Sequence, residues 1–178
     1  RKYLVTGGLG FVGSHLVERL VKLNYQVTII DNFSNGKIAN IKSVKTKVKI
    51  INGDIINNKK WRKYFKGIDV VVHLAAIADI VPSIKKPKAY FDSNVNGTLN
   101  VIEAAKDFGI KKFIYAASSS SYGIPKNYPT KESEILDPKY PYALTKKLGE
   151  DIVLHWGKLY NIDVVSLRFF NIYGERSR

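Results

Sequence analysis

The sequence predicts an α/β fold, a Rossmann-like doubly wound parallel sheet flanked by helices, and two observations support this. Short apolar segments alternate with amphipathic ones along the 178 residues, which is typical of parallel strands joined by helical crossovers. The first apolar segment also runs into a glycine-rich turn, Thr6–Gly13, that opens a helical pattern. We therefore expect a single domain over residues 1–178.

Each strand is predicted from a short β-branched or aromatic run, and each helix from apolar residues at helical spacing. Asp69–Leu74 is apolar on both faces, as expected of a strand inside a parallel sheet. The longest irregular segment, Ile124–Pro141, holds four of the six prolines, and such long loops are commonly functional. The other predicted strands are Tyr3–Val5, Gln26–Ile30, Val48–Ile51, Lys112–Ala116 and Val164–Phe169, and the predicted helices are Phe11–Leu23, Lys88–Asp107 and Tyr142–Tyr160.

The composition excludes several classes of protein. There is no Cys, which rules out disulfides, thiolate catalysis and cysteine-ligated zinc, and the three dispersed His make a metal site unexpected. No apolar run approaches the ~20 residues that span a bilayer, so we expect no membrane partner and a cytoplasmic location. No signal peptide is evident at Arg1–Val5. Because the chain contains no Met, we expect its natural start to be missing.

The net charge of +14 would ordinarily suggest an anionic partner. However, 23 of the 29 basic residues are Lys, spread over predicted loops and polar faces, and the six Arg form no cluster. Proteins that recognise nucleic acid bases favour Arg for its bidentate contacts. We therefore interpret the excess as a Lys-rich surface, with nucleic acid and other anions as weaker alternatives.

The glycine-rich turn predicts a dinucleotide site. Gly7 permits the tight turn, Gly10 allows the backbone to approach a pyrophosphate, and Gly13 allows the helix to pack on the sheet. The helix then presents its amino-terminal end to the phosphates. Asp31, at the end of the second strand, can bind both ribose hydroxyls and would repel a 2′-phosphate, which favours NAD over NADP. Asp54 is a candidate for an adenine contact, although a solvated turn is nearly as good an interpretation.

A Tyr and a Lys one helical turn apart predict an acid–base pair. Tyr142 and Lys146 share one helix face, and a neighbouring cation is expected to lower the pKa of a phenol towards working pH. Tyr142 could then act as general base and acid on a sugar or alcohol hydroxyl. A run of Ser from Ser118 to Ser121 follows the fifth strand, at the sheet edge where ligands bind.

Two further polar residues have structural interpretations. His73 closes the fourth strand in the segment His73–Ala76 and is expected to be a structural hydrogen-bonding residue, with Ala75 and Ala76 allowing close approach of the cofactor. Asn94 lies inside a predicted helix, where Asn is unfavourable. It is therefore a candidate for a polar tether between that helix and the strand.

Together these residues resemble the extended short-chain dehydrogenase/reductase family, in its nucleotide-sugar epimerase/dehydratase branch. Eight motifs spread along the chain carry the resemblance. They are TGGLGFVG at Thr6–Gly13, DNFSNG at Asp31–Gly36, GDI at Gly53–Ile55, HLAA at His73–Ala76, NVNGT at Asn94–Thr98, ASSSSYG at Ala117–Gly123, YALTK at Tyr142–Lys146 and RFFNIYG at Arg168–Gly174.

The resemblance implies roles for particular residues. Ser118, Tyr142 and Lys146 would be catalytic, with Phe169 and Phe170 beside the nicotinamide. The cofactor NAD would be bound by Gly7, Gly10, Phe11, Val12, Gly13, Asp31, Asn32, Asp54, Ile55, Leu74, Ala75, Ala76, Asn94, Ala116, Tyr142, Lys146 and Phe169. The substrate would be bound by Ser83, Ser118, Ser119, Ser120, Tyr142 and Asn171, and no metal is implied.

The Ser run also discriminates within the branch. The 4,6-dehydratases resemble Thr-Asp-Glu at this point and decarboxylating relatives have a Glu, whereas Ser118–Ser121 contains no carboxylate. This favours a UDP-hexose or UDP-N-acetylhexosamine 4-epimerase that inverts C4 through a transient 4-keto sugar. In one departure, some hexose 4-epimerases carry a Lys where this chain has Ile77–Asp79. A uronic-acid epimerase, dehydratase, decarboxylase or reductase, and a non-catalytic NAD-binding module, are the alternatives.

The resemblance further implies an assembly and a second domain. Relatives form homodimers, and here the Lys88–Asp107 and Tyr142–Tyr160 helices would form the contact. We also expect a C-terminal substrate domain that lies largely beyond Arg178. The expected small-molecule partner is a UDP-sugar or another nucleotide sugar.

Overall fold

The computed structural model describes residues 1–57 and 60–177; Lys59 and Arg178, counted above among the basic residues, lie outside them. Six strands form one parallel sheet in the order β3-β2-β1-β4-β5-β6. This is the order of doubly wound dinucleotide-binding sheets, so the predicted fold class is confirmed. The strands are β1 (Lys2–Thr6), β2 (Gln26–Asp31), β3 (Val48–Asn52), β4 (Val70–His73), β5 (Lys112–Ser118) and β6 (Asp163–Phe169).

In the described residues five α-helices flank the sheet, and the longest is α5, which begins at Pro141 with a proline in its first turn. Proline is favourable there because its fixed φ suits a helix start and its missing N–H would be unpaired. The helices are α1 (Phe11–Lys22), α2 (Ile80–Lys85), α3 (Pro87–Phe91), α4 (Gly97–Asp107) and α5 (Pro141–Tyr160).

Two helical features differ from the prediction. The predicted helix Lys88–Asp107 is α3 and α4 joined by a π-helical turn, Asp92–Asn96, and the short helix α2 was not predicted. Pro82 inside α2 and the left-handed φ of +80° at Asp79 before it conceal this helix from sequence patterns.

The core lies on both faces of the sheet. Leu4, Phe113 and Trp61 belong to the cluster on one face, and Val5 and Ile29 to the cluster on the other. Because the strands are parallel, their carboxyl ends meet at one edge, which is where ligands bind in this architecture. Of the helices described, none combines the length and apolar character needed to cross a bilayer.

Candidate active site

The glycine-rich turn between β1 and α1 is closed by backbone contacts that leave no room for side chains. Gly7 has a φ of +68°, which favours glycine, and its N–H donates to Ile30 O at 2.9 Å. A Cβ at Gly13 would lie 2.8 Å from Gly8 Cα and closer still to Gly7 O. Gly13 therefore lets α1 begin directly against the turn, a tighter contact than the predicted packing on the sheet.

The amino-terminal end of α1 faces an open groove of about 1140 Å³ at the carboxyl edge of the sheet. Gly10, Phe11 and Val12 line this groove. Within the described chain no side chain caps α1, and its first turn contains no acidic residue. Free N–H groups and the helix dipole favour an anion at such an end. The groove therefore offers a site for a diphosphate.

The carboxylate predicted for the adenosine ribose is buried at the end of β2. Asp31 Oδ2 accepts from Leu9 N at 3.0 Å and Asp31 Oδ1 accepts from Phe33 N at 2.9 Å. Each oxygen has a second lone pair with which to accept a hydroxyl. Beyond it, Asn32 Nδ2 donates to Asp54 Oδ2 at 3.1 Å. The structure thus brings Asp31 and Asp54, the two carboxylates predicted for the adenosine half, together with Asn32 at the ends of β2 and β3.

His73 is buried and takes part in a hydrogen-bond chain whose direction can be assigned. Thr98 Oγ1 donates to Asn94 O at 2.7 Å, so it accepts from His73 Nε2 at 2.9 Å. His73 Nδ1 then accepts from Thr6 Oγ1 at 2.6 Å, and that hydroxyl accepts from Ala75 N at 3.2 Å. Burial lowers the pKa of His73 to about 3, which keeps the ring neutral. The predicted structural role of His73 is confirmed.

Asn94 is the predicted tether, and it lies in the π-helical turn. Its Oδ1 accepts from Ile77 N at 2.8 Å, and its Nδ2 donates to Ile77 O at 3.0 Å and to Thr145 Oγ1 at 3.1 Å. It therefore joins the segment after β4 to α5, the helix that carries Tyr142 and Lys146. Asn94 is only 1% exposed and is not among the groove-lining residues, so its cofactor contact stays a prediction.

Ser118, Tyr142 and Lys146 come together in the groove, as the sequence predicts. Ser118 ends β5, and its hydroxyl hydrogen-bonds to Tyr142 and lies 2.8 Å from Ser120 Oγ. Lys146 follows Tyr142 by one turn of α5, is buried, and places its ammonium 4.8 Å from the centre of the Tyr115 ring. A phenol, a hydroxyl and an ammonium thus converge where a substrate hydroxyl can be deprotonated.

The pKa of Tyr142 differs from the prediction. Burial raises it above its ordinary value, the hydrogen bond from Ser118 lowers it, and the Asp79 carboxylate raises it further. Burial also lowers the pKa of Lys146 to about 8. The sequence argument considered only the attraction between phenolate and ammonium, whereas in the folded chain desolvation is the largest effect on both groups.

Most predicted site residues line the groove, but several do not contribute to its lining. Ser83 is fully buried, and its hydroxyl donates to Ile80 O at 2.6 Å. Ile55 packs against Gly97, because a Cβ at Gly97 would lie 2.7 Å from Ile55 Cδ1. The predicted residues lining the groove are Gly10, Phe11, Val12, Leu74, Ala76, Ala116, Ser118, Ser119, Ser120, Tyr142, Lys146, Phe169, Phe170 and Asn171. The predicted residues outside its lining are Gly7, Gly13, Asp31, Asn32, Asp54, Ile55, Ala75, Ser83 and Asn94.

The structure adds three charged residues to the groove that sequence reasoning missed, namely Asp79, Arg176 and Lys37. Asp79 is the one carboxylate among the described lining residues, and its only signal in the sequence is the departure from the family pattern at that point. Arg176 donates to Ser14 Oγ at 3.1 Å and to Glu18 Oε2 at 2.8 Å on α1. Its place directly after the motif RFFNIYG could have indicated it.

The residues present fit a bound NAD molecule. The uncapped end of α1 suits the diphosphate, and the buried Asp31 retains acceptor capacity for a ribose. Lys146 is a buried cation whose ammonium, in the described part of the chain, makes no ion pair, so it remains available to a cofactor ribose hydroxyl. The groove extends from α1 to Ser118, Tyr142 and Lys146, so one elongated ligand could contact both ends.

Comparison with known proteins agrees with this geometry. The NAD dependent epimerase/dehydratase family matches residues 3–178. A putative UDP-glucose 4-epimerase of Methanocaldococcus jannaschii is 38% identical over 97% of this chain and 56% of its own length. The predicted cofactor, NAD, is confirmed by the family's description.

Solved structures agree as well. A UDP-N-acetylglucosamine 4-epimerase of Methanobrevibacter ruminantium, in complex with UDP-N-acetylmuramic acid, has a TM-score of 0.95 at 39% identity, over all of this chain and 57% of that one. A dTDP-glucose 4,6-dehydratase of Streptomyces venezuelae with NAD bound has a TM-score of 0.94 at 29% identity, over 99% of this chain and 57% of that one. The chain thus spans slightly more than half the length of these relatives.

Proposed function

Because this chain belongs to the NAD dependent epimerase/dehydratase family, we propose that it carries the catalytic half of a UDP-sugar 4-epimerase, an isomerase. Both an epimerase and a dehydratase share its fold closely, so the fold alone does not separate the two reactions. The observation that carries the proposal is the segment Ser118–Ser121. In the described groove no carboxylate comes from that segment, and eliminating water from a sugar requires an added acid and base.

The catalytic trio can carry out the proton transfers of epimerisation. When bound, NAD supplies a reversible hydride acceptor beside the sugar. Tyr142 takes the proton of the C4 hydroxyl as a general base and returns it after the sugar has turned over. Ser118, hydrogen-bonded to Tyr142, orients the same hydroxyl. Lys146 holds a cofactor ribose hydroxyl and favours the phenolate form of Tyr142 by its charge.

We expect the substrate to be a UDP-hexose or UDP-N-acetylhexosamine. The named relatives act on UDP-glucose and UDP-N-acetylglucosamine, and Ser119, Ser120 and Asn171 line the groove near the trio. We place the enzyme in the cytoplasm and propose that it forms a homodimer through the predicted helices. Exposed apolar side chains on α5, Leu144 and Leu154, support such a contact. Sedimentation of the full-length protein tests the dimer.

Product analysis tests the proposed reaction. Full-length protein is incubated with UDP-glucose and separately with UDP-N-acetylglucosamine, and C4 inversion is followed by NMR. We expect inverted sugar without release of a 4-keto product, and we expect Tyr142→Phe to reduce turnover by at least ~100-fold while NAD remains bound. Tyr140→Phe, two residues earlier, exposed and not among the groove-lining residues, is the matched control. Accumulation of a 4-keto sugar would instead identify a dehydratase.

A further inference from the structure

A buried ion pair behind the groove is not used by the mechanism above. Arg168 on β6 donates from Nε to both carboxylate oxygens of Glu150 on α5, at 3.0 and 3.1 Å, and from a terminal nitrogen to Oε1 at 2.7 Å. Glu150 is only 3% exposed. Arg168 also donates to Tyr122 Oη at 3.0 Å and to Glu132 O at 2.9 Å. Both oxygens of Glu150 are therefore bound by one guanidinium, Oε1 through two hydrogen bonds and Oε2 through one.

Glu150 lies one helical turn after Lys146, at a spacing that brings oppositely charged side chains together. The same helix shows that this order of residues can pair here. Lys147 and Asp151, one position further along, form an ion pair at 2.6 Å. Without Arg168, Glu150 and Lys146 would therefore be expected to pair in the same way.

Lys146 instead keeps its ammonium over an aromatic ring. Its Nζ is 4.8 Å from the centre of the Tyr115 ring, and Tyr115 Oη donates to Lys146 O at 3.3 Å. Glu150 acts electrostatically on the same phenol, so its carboxylate lies close to this cluster. A ring face attracts a cation but leaves its N–H groups available to another acceptor, whereas a carboxylate would occupy them.

We propose that Arg168 is a positioning residue that acts through Glu150. By binding both carboxylate oxygens it holds Glu150 against β6 and away from an ion pair with Lys146, so the Lys146 ammonium stays directed to the groove. The role assigned to Lys146 rests on the proposed function, whereas the inference that Arg168 keeps Glu150 from pairing with Lys146 does not. Arg168 thus couples the last strand of the sheet to the catalytic helix.

A merely structural role for Arg168 makes a different prediction from this one. If Arg168 only anchored β6, its loss would displace the groove residues that follow it, and removing Glu150 as well would not help. If Arg168 sequesters Glu150, then removing the Glu150 carboxylate should restore the free Lys146 ammonium, and with it the turnover, that removing the Arg168 guanidinium abolishes. The double variant Glu150→Gln with Arg168→Met therefore separates the two roles.

The test uses full-length protein in four forms, namely wild type, Arg168→Met, Glu150→Gln and the double variant. We expect the kcat of Arg168→Met to fall at least ~10-fold. We also expect the acid limb of its kcat–pH profile to move to higher pH, because a Lys146 ammonium paired with Glu150 stabilises the Tyr142 phenolate less. We expect the double variant to return to the level of Glu150→Gln. NMR titration of ¹³C-labelled lysines, with the Lys146 signal identified by its loss in Lys146→Met, should show a raised pKa in Arg168→Met only.

Among the described residues, few titratable groups act on Lys146 or on its ring neighbour Tyr115, so this signal can be interpreted. They are His73 on β4, Tyr115 on β5, and Tyr142 and Glu150 on α5. A double variant as inactive as Arg168→Met, or a Lys146 signal unchanged in Arg168→Met, overturns the proposal. Because the lysine titration does not depend on turnover, it stands even if no UDP-sugar proves to be a substrate. Should Arg168→Met not fold, Arg168→Lys retains a cation and should give an intermediate shift.

Discussion

Replacing Gly13 by Ala tests the placement of the cofactor diphosphate. The new Cβ would lie 2.8 Å from Gly8 Cα, whereas non-bonded carbons settle about 3.5–4.0 Å apart. The obstructing atoms belong to the backbone, so α1 must retreat by about 1 Å from the turn. We expect this overpacking to cost about 2 kcal/mol of unfolding free energy. The amino-terminal N–H groups of α1 would retreat with it.

That retreat should weaken NAD binding more than it weakens the fold. Hydrogen bonds from N–H groups to a charged acceptor are worth about 1.5–3 kcal/mol each, and the loss of two raises Kd about 100-fold or more. Calorimetric titration of the full-length protein with NAD measures this, and urea unfolding measures stability. The matched control is Gly109→Ala, where φ is +68° and a Cβ would meet nothing within 4 Å.

The control should lose about 1 kcal/mol of stability from its left-handed backbone and keep its affinity for NAD. The two variants thus share a stability loss and differ in cofactor binding. If Gly13→Ala bound NAD as tightly as Gly109→Ala does, the diphosphate could not depend on the end of α1. The proposed position of the cofactor diphosphate at the amino-terminal end of α1 would then be wrong.

Three other perturbations test the electrostatics. Asp79→Asn should lower the pKa of Tyr142, because it removes a carboxylate that raises it, and the acid limb of the kcat/KM profile should move to lower pH; an unmoved limb would contradict this. Glu150→Ala should cost about 3–5 kcal/mol of unfolding free energy, since it leaves a partly buried guanidinium unpaired, whereas a loss under 1 kcal/mol would count against a strong pair. His73 has a folded pKa lowered to about 3 from an unfolded value near 6.5, so stability should fall as pH drops below 6.5, by about 2–3 kcal/mol at pH 4.5. This part of the pH dependence should vanish in His73→Gln and persist in His155→Gln.

Sequence reasoning predicts the sheet and the Tyr142–Lys146 pair because their signals are local. The turn Thr6–Gly13 needs glycine for reasons visible within eight residues, and each strand is a short run of β-branched or aromatic side chains. Tyr142 and Lys146 are neighbours on one helix whatever surrounds them. Such features depend on spacing alone, and the structure preserves that spacing.

Protonation could not be predicted in the same way. Whether the phenol of Tyr142 is solvated or buried depends on residues far away in sequence. One of them is Tyr90, whose ring lies edge-on to the Tyr142 ring with 6.3 Å between the centroids. Desolvation by such neighbours is the largest effect on the pKa of Tyr142. A pattern that predicts which residues are catalytic therefore does not predict the pH at which they would work.

The π-helical turn shows why a local rule can fail at a functional position. Asn94 is unfavourable in a helix, yet its partners Ile77 and Thr145 lie 17 and 51 residues away. A wider helical turn becomes favourable when those bonds, together with the one from Thr98 to Asn94 O, outweigh the lost α-helical geometry. Asn94 O is connected through Thr98 and His73 to the glycine-rich turn. The side-chain amide of Asn94 is connected through Thr145 to α5. The turn therefore joins the two sides of the groove, which no single segment of the sequence could indicate.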